Sequence, residues 1–179
     1  MTILLTGVYV VAMVWLGVAE PGGGHAQKRN EEPKVIANQS APGATVVPIL
    51  VYEDAATAID WLCATFGFAE RLRAERDGVV THAQLLVGEG AIIVGRQGGE
   101  FRAPRRGEVS QYVVVHVQDV DAHFEHAKRL GAKILEPVNN MPFGERQYTA
   151  EDPEGHRWTF SQSVADVPPQ QWGAKLAVR

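Results

Sequence analysis

Few side chains in this sequence could do chemistry: His82 and Gln84, Tyr112 and His116 at either end of a valine run, Tyr148, and Thr159. Imidazole, phenol, amide and hydroxyl groups that converge can orient a small molecule or move a proton. Strand alternation decides which of them converge. If Val113, Val115 and Val117 face a helix, then Tyr112, Val114 and His116 face a cavity; if Trp158 and Phe160 pack inward, then Arg157, Thr159 and Ser161 line it. His82 and Gln84 share one face of the strand from Val79 to Val87, so His82, Gln84, His116 and Tyr148 are the expected convergent polar groups. His123 and His126 stand three apart on a helix and could pinch a metal, but an exposed helix face is the expected home. His156 falls in a turn and is expected to face solvent.

The elements that must position these groups occur twice. Val46 to Phe68 reads as strand, Asp, amphipathic helix, Gly and next strand, and Gln111 to Leu135 repeats that order. Asp54 suits the cap of a helix whose apolar stripe is Ile59, Leu62, Cys63 and Phe66, with Gly67 as the left-handed stop. Strands follow over Phe68 to Arg76, Val79 to Val87 and Ala91 to Gly95. In the second copy either Asp119 or Asp121 caps a helix carrying Val120, Phe124, Ala127 and Leu130, and strands follow over Ala132 to Val138, Glu145 to Glu151 and Arg157 to Gln162. The turn Asp152-Pro153-Glu154-Gly155 signals a hairpin before the last strand. A half of this size cannot close a core alone, so the copies must pair with each other or exchange between chains. The first strand, from Thr45 to Tyr52, is apolar on both alternations and is expected to be buried on two faces.

Composition narrows the partners. The formal net charge is -4, and no Lys/Arg stripe runs along a helix, which argues against nucleic acid. Arg102, Arg105 and Arg106 cluster in a Pro- and Gly-flanked loop, expected to be solvated. Cys63 is the lone cysteine, so no internal disulfide forms, and its place on the helix stripe makes it a packing residue. The chain lacks a phosphate loop, a Gly-x-Ser-x-Gly elbow and a His-Glu-x-x-His helix.

The termini read differently from the middle. Ile3 to Ala19 is apolar and is followed by Gly24-His25-Ala26, so residues 1–26 resemble an export signal, although no Lys or Arg precedes the apolar run. A secreted or periplasmic protein is the expectation; an uncleaved N-terminal anchor and a cytoplasmic protein are the alternatives. Residues 27–44 are polar and read as a flexible linker, 45–163 as the folded domain and 164–179 as a tail.

The tandem β-α-β-β-β order, the Asp-capped helix ending in Phe66-Gly67-Phe68, and the closing segment Asp152-Pro153-Glu154-Gly155-His156-Arg157-Trp158-Thr159-Phe160 resemble the vicinal-oxygen-chelate superfamily. That group includes glyoxalase I, bleomycin-resistance proteins, fosfomycin-resistance enzymes and extradiol dioxygenases. The resemblance implies an α+β fold in which two tandem βαβββ modules form a curved sheet around a central cleft, and a homodimer. It carries the superfamily's metal-ligand positions onto Val47, Tyr112 and Thr159, which lack the imidazole and carboxylate donors a divalent ion needs. The resulting expectation is a protein that binds a small organic molecule through His82, Gln84, Tyr112, His116, Tyr148 and Thr159, with no metal and no other cofactor. The alternatives are a lyase, isomerase or dioxygenase holding a divalent metal ion through His82, His116 and a carboxylate such as Glu145 or Glu151, and a non-catalytic extracellular interaction domain.

Overall fold

The computed structural model describes residues 38–105 and 107–176, so the apolar leader and most of the linker segment lie outside it. The first module comprises β1 (Ile49–Tyr52), α1 (Ala55–Phe66), β2 (Ala69–Arg76), β3 (Val79–Val87) and β4 (Gly90–Arg96). The second comprises β5 (Tyr112–His116), α2 (Val120–Arg129), β6 (Lys133–Asn140), β7 (Glu145–Glu151) and β8 (Arg157–Ser163), followed by a 3₁₀ turn at Pro169–Trp172. The strands form two four-stranded sheets, one per module, ordered β1-β4-β3-β2 and β5-β8-β7-β6. In each, the first strand runs parallel to the last and the other neighbours are antiparallel. This is the tandem βαβββ architecture that the repeat foretells.

Local chemistry explains the helix starts. The Asp54 carboxylate accepts from the Thr57 amide at 3.2 Å and from the Thr57 hydroxyl at 2.7 Å, and the Asp119 carboxylate accepts from the Ala122 amide at 2.9 Å. Asp119 is therefore the cap of α2, while Asp121 pairs instead with Arg146 at 2.7 Å. Gly67, at φ 72, supplies the left-handed stop of α1.

Two elements depart from expectation. The first strand begins at Ile49, and Ile49 and Val46 are exposed, because β1 is an edge strand with only one side laid on a helix. Leu130 caps the end of α2 and is exposed, whereas the half-buried Phe124 packs against the core.

Each sheet sends one alternation toward the helices. Leu50, Tyr52, Leu85 and Val94 from the first module join Val115, Tyr148, Trp158 and Phe160 from the second in one buried cluster. Phe66 at the end of α1 ties them together, with ring centroids 4.7 Å from Phe160 and 5.7 Å from Trp158. The two modules thus share a core, as halves too small to close alone must.

The hairpin turn after β7 fastens the modules in polar terms. The buried Asp152 carboxylate accepts from Tyr52 Oη at 2.7 Å and Trp158 Nε1 at 3.2 Å through one oxygen, and from the amides of Glu154, Gly155 and His156 through the other. Burial, and then the charge of Asp152, push the Tyr52 phenol well above its ordinary pKa, so Tyr52 remains a neutral donor. Glu154 accepts from the backbone amides of Glu53 and Asp54 just ahead of α1. His156 does not face open solvent: it donates from Nε2 to Val51 O at 2.8 Å and its ring lies 4.4 Å from that of Tyr52.

Candidate functional site

The side of each sheet turned away from the helices is its open face. In the second module, strand register places Val114 opposite Thr159, Thr159 opposite Thr149, and Thr149 opposite Glu136. The next row toward the end of β5 is His116, Ser161 and Gln147. Tyr112, Val114, Glu136, Phe143, Gln147, Thr149, Arg157 and Thr159 enclose a cleft of about 410 Å³. That volume falls within the range of small-molecule sites. By contrast, the void between α1 and the Asp152–Glu154 turn is about 30 Å³, room for little more than water.

The cleft combines an aromatic and apolar part with a polar floor. Tyr112 is 63% exposed and Val114 47% exposed, an unusual state for residues at the middle of a domain and one that leaves them free to touch a ligand. Phe143 is backed by Trp172 of the 3₁₀ turn, centroid to centroid 5.7 Å, so the tail helps build the wall. On the floor the Thr149 and Thr159 hydroxyls lie 3.2 Å apart, and Thr149 donates to Glu136 at 3.2 Å. At one end Ser161 donates to Glu145 in a short contact, and Gln147 donates to the same carboxylate oxygen at 2.7 Å. These bonds, chiefly that from Ser161, hold the Glu145 carboxyl below its usual range, with a further contribution from the nearby His116 and with burial opposing. The groups present can hydrogen-bond, ion-pair and stack.

The six sequence-derived site residues are not all brought together. Tyr112, His116 and Thr159 share the open face of the second module. His82 and Gln84 lie on the open face of the first, on a different sheet. Gln84 is buried there because residues 39 and 40 cross it: its amide nitrogen donates to Ser40 O at 2.9 Å, while Arg71 donates to Gln84 Oε1 and to Gln39 O, each at 2.5 Å. The end of the segment expected to be a linker is therefore docked on the sheet. His82 is exposed beside Thr81.

Tyr148 is not in the cleft. It is fully buried on the helix side, stacked on Phe160 at 5.1 Å. The reason is register: Tyr148 pairs directly with Phe160, so the two must point the same way, and Thr149 and Gln147 take the cleft side. His123 also departs from the exposed-face expectation. It is half-buried, with Nε2 3.2 Å from Phe66 O and Nδ1 2.6 Å from Tyr148 Oη. A carbonyl can only accept, so Nε2 carries the proton and Nδ1 accepts from the phenol, consistent with a pKa lowered mainly by burial. His126 donates to Ala64 O at 3.0 Å, which also bridges the helices rather than pinching an ion. Glu136, Phe143, Gln147 and Thr149 were missed by sequence reasoning. The signal that could have found the β7 pair was the placement of Phe160, whose side of the sheet dictates that of its neighbours on β7. Cys63 is half-buried and its thiol pKa is raised chiefly by burial, which disfavours a nucleophile.

With this geometry in hand, comparison with known proteins is decisive for the family. Residues 44–160 match the model of the Glyoxalase/Bleomycin resistance protein/Dioxygenase superfamily. The chain belongs to that superfamily. Among solved structures it is similar to TioX from Micromonospora sp. ML1, at 38% identity and a TM-score of 0.59 over 68% of this chain and 100% of that one. A second likeness is to a mutant of the genomically encoded fosfomycin resistance protein FosX from Listeria monocytogenes, complexed with manganese and a dihydroxypropylphosphonic acid. It shows 16% identity and a TM-score of 0.53 over 73% of this chain and 96% of that one, which speaks for the fold alone. A protein of Mycobacterium bovis without an assigned function is 32% identical over 67% of this chain and 84% of its own length.

Membership raises the question of the superfamily's metal. The positions implied for its ligands hold Val47, Tyr112 and Thr159; valine has no donor atom, and the Thr159 hydroxyl is engaged with Thr149. Among the described residues no three His, Cys, Asp or Glu side chains are grouped to hold an ion. The displaced alternative forms no such group among the described residues either, and Glu151 is engaged by Lys133 at 2.7 Å. Only His116 and Glu145 remain near each other. The residues present do not fit the group.

Proposed function

We propose that this superfamily member binds a small organic molecule on the open face of its second module, through aromatic contact and hydrogen bonds, without a catalytic metal. The observation that carries the reading is the cleft itself, where Tyr112 and Val114 stand exposed over the hydroxyl floor of Thr149 and Thr159. A hydroxyl floor under an aromatic wall orients a ligand without activating water, which favours binding or sequestration over hydrolytic or lyase chemistry. A homodimer belongs to the same proposal, because exposed Ile49 and Leu86 give the first module's open face apolar surface that a second copy could cover. Sedimentation at several concentrations checks that part.

The site is tested by filling it. Val114 and Ile49 hold the same place in their modules relative to the caps Asp119 and Asp54, and both point away from the core. Val114→Trp is expected to abolish ligand-induced stabilisation in a thermal-shift screen of small organic molecules, and Ile49→Trp to leave it in place. Equal loss in both, or none in either, refutes the assignment. Metal analysis after chelation and re-addition addresses the cofactor: one ion per chain, lost in His116→Ala, would replace this reading with a metalloenzyme centred on His116 and Glu145.

A further inference from the structure

Arg157 differs from the other half-buried arginines, Arg71, Arg73 and Arg146, and from Arg102. Arg71 is bonded to Gln84 and Gln39, Arg73 to Asp60 and Glu70, Arg102 to two backbone carbonyls, and Arg146 to Asp121 and Asn140. Arg157 borders the second-module cleft, and its Nε is buried with no hydrogen-bond partner. Its carboxylate neighbour, Glu151, lies 3.7 Å away, beyond hydrogen-bond distance, and gives its other oxygen to Lys133 at 2.7 Å. Two cations thus share one carboxylate at this end of the cleft. A buried guanidinium donor left unmatched is a liability in the protein alone and a recognition element once an acceptor arrives, since the planar fork matches a carboxylate or similar oxyanion.

The other charge lining the cleft is that of Glu136, which accepts from the Thr149 hydroxyl. Glu136 is two strands from Thr159, and Arg157 is two residues farther along β8. At about 4.8 Å per strand and about 3.3 Å per residue, their backbones stand roughly 12 Å apart. Between them the lining is neutral: Tyr112, Val114, Gln147 and the threonine pair.

Resting on the reading that this cleft is the ligand site, we propose that Arg157 makes it selective for an organic acid. The flat body of the ligand lies against Tyr112 and Phe143, and its carboxylate or equivalent oxyanion is received by the Arg157 guanidinium. Glu136 at the far end disfavours a second acidic group there.

The test uses 2-naphthoate and 2-naphthamide, which share a shape and differ in charge, titrated calorimetrically into the full chain, with amide shifts located by NMR. The acid is expected to bind at least about tenfold more tightly than the amide, a preference that shrinks with added salt. In Arg157→Gln the ratio should fall to near one, and Arg157→Lys should retain part of it. Equal affinities in the unmodified protein, or a ratio unchanged in Arg157→Gln, would overturn the organic-acid assignment while leaving the cleft as the site. If neither probe shifted the cleft amides, both readings would fail together. Because the acid-to-amide ratio is measured first on the unmodified chain, the proposal stays exposed even if the variants do not fold.

Discussion

The two modules repeat one topology and finish their open faces in opposite ways. In the first, the polar groups at the sheet centre are consumed by the chain: Gln84 and Arg71 bind the carbonyls of Gln39 and Ser40, and the floor around them is apolar, with Ile49, Val51 and Ile93. In the second, the matching positions carry Thr149, Val114, His116 and Thr159, no chain segment crosses them among the described residues, and Arg157 keeps an unmatched donor. The helix-facing alternation is alike in both because both must bury it in one shared core. Duplication therefore constrains the inner faces and leaves the outer ones free to diverge. In one, the chain covers the sheet centre at Gln84; in the other, the centre is open to a ligand.

That contrast can be broken at the joint between the modules. Asp152→Ala strips five acceptor contacts and leaves the buried Tyr52 hydroxyl and Trp158 indole, and the half-buried amides of Glu154 and His156, without this partner, while the Gly155 amide keeps only the Asp152 carbonyl. The expected cost is about 3–5 kcal/mol, a large share of a typical domain's stability, measurable by urea denaturation. Both faces should suffer together.

A substitution at Gly144 should separate the faces. Its φ is 87 and an added Cβ would collide with the Ala165 carbonyl oxygen, so Gly144→Ala must push the tail away. The expected loss is about 1–3 kcal/mol from strain, accompanied by loosening of Trp172 from Phe143. Ligand affinity at the second module should drop while amide exchange at residues 38–41 stays as it was. The reverse experiment is Gln84→Leu, which removes the partner of Arg71 and of Ser40 O. About 1 kcal/mol is expected, with faster exchange at residues 38–41 and unchanged binding at the cleft. A cleft that responded would show that the two faces are not independent.

The smallest effect is pH dependence at the helix junction. Burial lowers the His123 pKa from 6.5, so the unfolded chain takes up its proton more readily than the folded one. Stability from this group is complete above about pH 6.5 and declines as pH falls below that value toward the folded pKa. His123→Asn should flatten the melting temperature between about pH 7 and 5. The lowered carboxyl groups of Asp54, Asp121 and Glu145 act in the acid range beneath their ordinary values near 4.

Much of this is legible in the linear chain. The cap Asp54, a second cap at Asp119 or Asp121, the stop at Gly67, the strands from Val79 to Val87 and from Glu145 to Glu151, and the cleft side of Tyr112 and Thr159 follow from periodicity and turn chemistry, which act over a few residues. Tyr148 is expected on the wrong side because a tyrosine suits either face, and only its pairing with Phe160 chooses. His123 reads as a surface residue because Asp121, Glu125, His126 and Lys128 surround it on the helix; what buries it is Phe66, 57 positions earlier. Asp152 reads as turn chemistry, yet its second oxygen serves Tyr52, 100 positions away.

The sequence by itself determined the repeated module, the helix ends and which alternation of each strand is greasy, since those depend on side-chain type and local spacing. The tertiary structure decided which sheet centre stays uncovered, which histidine is buried and which arginine keeps a buried donor without a hydrogen bond. These turn on contacts between residues far apart in the chain, and no local pattern records who arrives on the other side.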